Sequence, residues 1–253
     1  MKKYTSYLKK SFYIELHYFP DYIGLILGEV FTLIIQYYLL KQLNNLEVNV
    51  GIYTLFSFVL RTLFSNSIIF KINEDFKSGN IAITKVKPVN YYSAIYFEQL
   101  GKIFSKFIFF VPVFLIMYIL CKIAIAFNII YFLLSLLLSI VLNILLEFII
   151  GILSYFMGSS IGLYMFNESL KTIFSGLIIP LSLFPDMINN LVNILPYKYI
   201  YYYPIMLISD KTPILQDVFL KIITLQFIYT IIIFLVFLFL TKLADERLVV
   251  HGG

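Results

Sequence analysis

Long apolar runs dominate this chain, and only a few polar stretches separate them. A helix needs about 20 apolar residues to cross the hydrocarbon core of a bilayer. On that criterion the chain is all-α and polytopic, with one transmembrane domain over residues 1–253. The predicted spans are residues 22–40, 51–70, 103–120, 127–157, 167–184 and 218–241.

The composition supports a membrane protein. Hydrophobic residues make up 61% of the chain and charged residues 13%, whereas soluble domains carry about 25% charged residues. The six predicted spans and their loops use up the 253 residues, so we expect no additional soluble domain. A single cysteine, Cys121, excludes an intrachain disulfide and a cysteine-based metal cluster. The first 20 residues lack a signal-peptide pattern, and we expect no cleavage there.

Residues 2–20 predict an amphipathic helix that lies along the membrane surface. At about 100° per residue, one face is polar and the opposite face is apolar. Glu15 is the exception, because it falls on the apolar side. The alternative is a frayed tail. The polar face comprises Lys3, Ser6, Lys10, Tyr13 and His17.

Lysine and arginine are distributed unevenly between the two sides of the predicted frame. Thirteen lie on the side of the termini and of the 71–102 loop, and five lie on the other side. Because cytoplasmic loops carry the excess of positive charge, both termini and this loop are predicted to be cytoplasmic. The loop contains an acidic pair, Glu74 and Asp75, then a turn at Gly79 and Asn80, and later Pro88. Such residues give a loop a fixed shape, as a contact that receives force from a cytosolic partner requires.

Residues 185–213 differ from an ordinary loop, because prolines and tyrosines are concentrated there. Five of the eight prolines fall at or near this segment: Pro180, Pro185, Pro196, Pro204 and Pro213. Proline interrupts helices, and tyrosine favours the membrane–water boundary. We therefore predict short re-entrant helices in the outer leaflet, tolerated where protein covers the broken backbone. The alternative is an extracellular loop that folds back on the surface.

Three ionisable residues fall inside predicted spans: Glu29, Arg61 and Glu147. Each costs at least ~2.5 kcal/mol at a helix centre unless it is paired or hydrated. Glu29 and Arg61 lie at similar predicted depths, so we expect an ion pair, the alternative being that one of them lines a hydrated path. Glu147 has no evident partner in the sequence. It either faces a cavity or bonds to a serine, asparagine or tyrosine on a neighbouring helix.

Catalytic and cofactor motifs are absent from the sequence. There is no GxxxxGK[ST], HExxH or GxSxG pattern, and the two histidines, His17 and His251, lie near the termini. We therefore expect a non-catalytic chain without catalytic, cofactor-binding or metal-binding residues.

Over essentially its whole length the chain resembles the membrane subunits of type-2 ATP-binding-cassette (ABC) exporters, in the small six-span branch. The 71–102 loop carries the first part of the resemblance, and the exit from the fifth span carries the second. The matching stretches are Glu74-Asp75, Ser78-Gly79-Asn80, Lys87-Pro88-Val89-Asn90, SGLIIPLSLFPD at 175–186, ILPYKYIYYYP at 194–204 and the tail Gly252-Gly253. The sparse arginine content departs from the family.

The resemblance implies a permease of the bacterial plasma membrane that works with two cytosolic ATPase subunits and a second permease, identical or a sister. ATP and Mg would lie on the ATPase, with no cofactor on this chain and no nucleic acid as partner. Residues 2–20 would be the family's elbow helix, and a short helix within 76–92 would be the coupling helix. The implied ATPase contacts are Glu74, Asp75, Phe76, Gly79, Asn80, Lys87 and Pro88, and the implied outer gate comprises Pro180, Pro185, Pro196 and Pro204.

Several functions stay open at this stage. Export of a hydrophobic or amphipathic substrate (a peptide such as a bacteriocin, a lipid-like molecule or a drug) fits a pathway lined by Phe, Tyr, Ile and Leu. A stand-alone secondary transporter or channel is the alternative, although no repeat symmetry is visible. An intramembrane enzyme is disfavoured by the missing histidine-bearing motifs.

Overall fold

The computed structural model describes residues 2–17, 19–43, 48–65, 68–85, 88–121, 129–209 and 214–251, and every regular element within them is helical. A 3-10 turn covers Leu181–Leu183, and a π-helical turn covers Lys198–Tyr202. The α-helices are α1 Lys2–His17, α2 Phe19–Gln42, α3 Val50–Leu63, α4 Ile69–Lys77, α5 Asn80–Lys85, α6 Tyr91–Cys121, α7 Ile129–Met157, α8 Ser160–Phe174, α9 Asp186–Ile194, α10 Tyr203–Ser209 and α11 Gln216–His251.

Helix α7 forms the centre of the fold, because α4, α8, α10, α11 and the π-helical turn all pack against it. Two described helical stretches, Ile129–Met157 and Gln216–Glu246, are long and apolar enough to cross a membrane. Large apolar side chains are also exposed on α2 and α11, among them Phe31 and Phe239. Such a surface is typical of a chain that is covered by lipid or by other subunits.

Helix α1 packs along α6 and exposes the polar face that the sequence predicts: Lys3, Ser6, Lys10, Tyr13 and His17 are all exposed. Glu15 lies opposite this polar face, as the sequence predicts, and is buried together with Ser11. The two helices approach closely at Gly101. A Cβ atom there would overlap the Leu8 carbonyl oxygen and would lie 3.1 Å from the Phe12 nitrogen.

The predicted second span, 51–70, is wrong as one continuous helix, because α3 ends at Leu63 and α4 begins at Ile69. Residues 65–67 read Ser-Asn-Ser, and such side chains compete for the backbone hydrogen bonds of a helix. The Ser65 hydroxyl donates to the Thr62 carbonyl oxygen at 2.9 Å. Average hydropathy over a span-length window does not reveal this interruption. The predicted single helix is therefore two helices in the structure.

The predicted fifth span, 167–184, is also wrong in its bounds. Helix α8 begins after Ser159, whose hydroxyl accepts a hydrogen bond from the Gly162 nitrogen, and it ends at Phe174. Gly176 follows with φ +75°, a backbone conformation that does not continue a helix. Residues 175–180 are therefore irregular although they are apolar.

Two further predicted segments contain helices in the structure. The 71–102 loop is mostly helical: it contains the end of α4, all of α5 and the first turns of α6, where Asn90 accepts a hydrogen bond from the Ser93 nitrogen. Residues 185–209 contain α9, the π-helical turn and α10, which agrees with the predicted short helices, and their re-entry into the membrane stays a prediction. Pro213 lies outside the described residues.

Candidate functional site

The candidate coupling segment is formed by α4, a turn at Ser78 and Gly79, and α5. The Ser78 nitrogen donates to the Glu74 carbonyl oxygen at 2.8 Å, and the Gly79 nitrogen donates to the Phe76 carbonyl oxygen at 3.3 Å. Gly79 has φ +73°, which side-chain-bearing residues rarely adopt. The turn reverses the chain and places α5 beside α4.

The residues predicted to contact an ATPase fall into two groups. Glu74, Asn80 and Pro88 are exposed, and Gly79 is half-buried in the turn. Phe76 points inward instead: its side chain is 3% exposed, and its ring stacks on Tyr155 with a centroid distance of 4.7 Å. Phe76 therefore anchors the segment to α7, which corrects its predicted role as a partner contact. Lys87 lies outside the described residues.

Asp75 anchors the segment to α6. Its Oδ2 atom accepts a hydrogen bond from the Tyr91 hydroxyl at 2.8 Å. Burial, together with this carboxylate, raises the pKa of Tyr91, which precedes the predicted span of α6. The Tyr91 hydroxyl therefore stays a donor throughout the physiological pH range. The Tyr4 hydroxyl accepts from the Asn90 nitrogen at 3.2 Å and links α1 to the same corner.

A cleft of about 280 Å³ opens between α1, α4, α5 and α6 at this corner. It is lined by residues from all four helices: Tyr7, Lys71, Asp75, Asn80, Thr84, Val89, Tyr91, Ala94, Ile95 and Glu98. Lys71 pairs with Glu98 across the cleft. The coupling segment and the N-terminal helix thus form one continuous surface.

Helix α4 runs parallel to the second half of α7 with matched contacts along its length. A Cβ atom added to Gly151 would lie 2.9 Å from Ile72, so the two helices are in close contact there. Asn73 Nδ2 donates to Ser154 Oγ at 3.0 Å. Lys77 Nζ donates to the Gly158 carbonyl oxygen at 3.3 Å. The contacting residue numbers increase in the same order in both helices, so α4 runs parallel to α7 and contacts it over its whole length.

Glu29 and Arg61 form the ion pair that their positions predict. Arg61 Nη1 lies 3.2 Å from Glu29 Oε2 and 3.0 Å from Thr32 Oγ1. Thr32 in turn donates to Glu29 Oε2 at 3.2 Å. The pair joins α2 to α3, and its side chains are 29% and 24% exposed. The positive group thus has two oxygen partners on α2.

Glu147 and Lys106 lie at the two sides of the break between α3 and α4. Glu147 Oε2 accepts a hydrogen bond from the Ile68 nitrogen at 3.0 Å, at the N-terminal end of α4. Lys106 Nζ donates to the Thr62 carbonyl oxygen at 2.9 Å and to Ser65 Oγ at 2.7 Å, at the C-terminal end of α3. Sequence reasoning missed both contacts, because it drew one helix through the break and placed Lys106 on the cytoplasmic surface. Lys106 is in fact 1% exposed.

A stripe of buried polar residues runs along α7 at intervals of four. Its members are Ser135, Ser139, Asn143 and Glu147. Gln226 on α11 accepts from the Ser135 hydroxyl at 2.9 Å and donates to the Tyr199 carbonyl oxygen at 2.7 Å. The Tyr201 hydroxyl donates to Asn143 Oδ1 at 3.2 Å. The stripe therefore binds the irregular backbone around the π-helical turn, and its four-residue spacing was a signal available in the sequence.

The prolines predicted as an outer gate lie at separate points of the irregular segment, and their role as a gate stays a prediction. Pro180 precedes the 3-10 turn and Pro185 directly precedes α9. The Pro196 carbonyl oxygen accepts hydrogen bonds from the nitrogens of Tyr199 and Ile200 at 3.0 and 3.2 Å. Pro204 is buried within α10. Pro180, Pro185 and Pro196 thus each precede a short element, as the missing donor and fixed φ of proline favour, whereas Pro204 lies inside a helical run.

Comparison with known families decides the general identity. The family model for the ABC-2 family transporter proteins matches residues 23–250. The chain belongs to the ABC-2 transporter family. As a family member it is a transmembrane, non-catalytic component of an ABC transporter, located in a membrane and partnered by an ABC ATPase. A search of curated proteins finds no match.

Membership in the ABC-2 family bears on the interpretation of the candidate coupling segment. An ABC-2 permease is a non-catalytic membrane component that works with an ABC ATPase. In the described part of the chain, no group of three or more His, Cys, Asp or Glu residues could hold a metal ion. The exposed turn is held by the buried Phe76 and the half-buried Asp75.

Proposed function

We propose that this chain is the permease subunit of an ATP-driven exporter. Two permeases, identical or sister chains, would enclose a pathway through which a hydrophobic or amphipathic substrate leaves a bacterial cell. Two ATPase subunits would dock on the cytoplasmic side, where the proposed topology of six spans places both termini and the coupling segment.

The coupling segment is the observation that carries this proposal. Its turn exposes Glu74 and Asn80, whereas Phe76 and Asp75 are held by Tyr155 and Tyr91. A contact that transmits force must be exposed on one side and rigidly attached on the other. The parallel arrangement of α4 and α7 also agrees with the proposed frame, because alternate spans of a membrane protein run in the same direction.

The substrate class is supported by an aromatic groove of about 350 Å³ between α6, α7 and α11. Its lining includes Tyr92, Tyr96, Phe148, Phe234 and Phe237. Aromatic rings favour flat or extended apolar molecules over small hydrophilic ones. A peptide, a lipid-like molecule or a hydrophobic drug would fit such walls.

The experiment is co-expression of the chain with ABC ATPase subunits from its own organism, followed by purification through a tag on the permease. We expect the ATPase to co-purify and the complex to hydrolyse ATP in lipid nanodiscs. The permease purified alone should not hydrolyse ATP, because it lacks a phosphate-binding loop. Hydrolysis by the contaminant-free permease would overturn the proposal, and so would transport by the chain alone, which would indicate a secondary transporter or channel.

Topology is tested separately with single cysteines in a Cys121→Ser background. Asp186→Cys and Asn190→Cys lie on exposed positions of α9, and we expect both to react with an impermeant maleimide added to intact cells. Ser78→Cys at the coupling turn, also exposed, is the matched control and should react only after lysis. The opposite pattern would show that the orientation is inverted.

A further inference from the structure

The coupling segment follows α3 along the chain, but it is attached to α7. Phe76 stacks on Tyr155, and Ile72 lies against Gly151 with no room for a side chain between them. Helix α3, in contrast, packs mainly on α2, α6 and α10. Contacts between α4 and α7 extend over the full length of α4, so a displacement of the turn at Gly79 reaches α7 directly.

The break between α3 and α4 is stabilised by charges of the appropriate sign. The C-terminal end of a helix carries a partial negative charge and the N-terminal end a partial positive charge. The Lys106 ammonium donates to the Thr62 carbonyl oxygen at the C-terminal end of α3. The Glu147 carboxylate accepts from the Ile68 nitrogen at the N-terminal end of α4. Backbone groups that a break would otherwise leave unpaired in an apolar interior are thereby satisfied. The break is a built feature of the fold.

The middle of α7 is bonded to the irregular outer segment. Ser139 Oγ donates to the Tyr199 carbonyl oxygen at 3.3 Å, and Asn143 accepts from the Tyr201 hydroxyl. Helix α7 contains 29 residues, which corresponds to about 43 Å at 1.5 Å per residue. One helix therefore contacts the coupling segment along its second half and the π-helical turn at its middle.

We propose that α7 carries the movement of the coupling segment to the π-helical turn, and that the break between the end of α3 at Leu63 and the start of α4 at Ile69 is a hinge that separates α3 from this movement. Helix α4 and the second half of α7 move as one body. The inference rests on the proposed function for the source of the movement, but the rigid body and the hinge are properties of this chain alone.

Distances between pairs of spin labels test the inference on the full chain in lipid nanodiscs. Double electron–electron resonance measures the long pair, and dipolar broadening of continuous-wave spectra measures the short pair beside the contact of Lys77 with Gly158. The native cysteine is removed by Cys121→Ser. Pairs of cysteines for labelling are then introduced at two of three positions: Val50 on α3, Ser78 at the turn and Met157 at the end of α7. We expect a narrow distance distribution for Ser78–Met157 and a broad one for Val50–Ser78. With the ATPase, ATP and vanadate, the Val50–Ser78 distance should shift on the order of 2 Å or more, and the Ser78–Met157 distance should not.

A substitution at the tight contact sharpens the test. Gly151→Val should separate α4 from α7 and broaden the Ser78–Met157 distribution, because its side chain would collide with Ile72. Gly28→Val is the matched control, since no atom lies within 4 Å of a Cβ atom there. Should Gly151→Val fail to fold, Asn73→Leu combined with Ser154→Ala removes the hydrogen bond between the helices and should broaden the same distribution.

Two outcomes would overturn the inference: equally narrow distributions for both label pairs, or a nucleotide-driven shift confined to Ser78–Met157. The first result would show that the break is rigid, and the second would show that α4 moves with α3. If the distributions have the expected widths and the ATPase neither binds nor shifts any distance, the proposed function fails while the hinge stands.

Discussion

Arg61 Nη1 lies 3.2 Å from Glu29 Oε2, and this ion pair joins α2 to α3. Thr32 Oγ1 is a second acceptor for the same guanidinium, at 3.0 Å. The side chains are about a quarter exposed, but the surrounding helix faces carry large apolar residues such as Phe31 and Ile35. An unpaired charge at this position would be costly in a bilayer.

The first prediction concerns this pair. Glu29→Gln should destabilise the purified chain by about 1–2 kcal/mol, less than the ~3–5 kcal/mol typical of breaking a fully buried pair. Glu29→Gln combined with Arg61→Gln should be more stable than the single variant, since no charge is left without a partner. Thermal unfolding in detergent measures both. A double variant no more stable than the single one would indicate that the two residues act independently.

The second prediction concerns the turn at Gly79. Gly79→Val should cost about 1–2 kcal/mol locally, because a branched side chain disfavours the positive φ there, although space is open around the position. The turn should then change shape, and ATP hydrolysis should continue with reduced transport. The ratio of transport to hydrolysis in proteoliposomes measures this. Pro88→Ala should lower the same ratio, whereas Gly24→Val, also in open space, should leave it unchanged.

The third prediction concerns the close approach of α1 to α6. Gly101→Leu should displace α1, because its Cβ would overlap the Leu8 carbonyl oxygen. Overpacking of this kind costs about 1–3 kcal/mol. Limited proteolysis at the exposed Lys9 and Lys10 should become faster in this variant. Unchanged proteolysis would mean that α6 moves to accept the side chain and that α1 keeps its position.

The fourth prediction concerns Tyr91 and Asp75. Tyr91→Phe should cost about 1 kcal/mol, because the half-buried carboxylate loses its donor. Tyr96→Phe on the same helix is the control. Because the pKa of Tyr91 is raised in the folded chain, its contribution is fully present below about pH 10 and is lost as the pH rises above that value. The stability difference between Tyr91→Phe and the wild type should therefore shrink in alkaline buffer, and a constant difference would contradict this assignment.

The sequence by itself determined the general class and several local features. Apolar runs and the low charged fraction indicated a helical membrane protein, and the periodicity of residues 2–17 gave the correct exposed face of α1. The ion pair of Glu29 and Arg61 followed from depth along two spans. The positive φ at Gly79 agrees with a turn drawn from residue types alone. These features depend on local composition and on spacing along one or two helices.

The tertiary structure decided where the helices break and which residues of one helix contact another. Hydropathy gave one helix at 51–70 because it averages over Ser65 and its neighbours, whereas the break is supported by Lys106 and Glu147 from α6 and α7. Nothing in the sequence shows whether Phe76 is a buried anchor or an exposed partner contact. Its stacking on Tyr155 in the structure shows that it is a buried anchor. A buried charge or a broken backbone is stable only with partners from elsewhere in the chain, and long-range packing alone brings those partners to it.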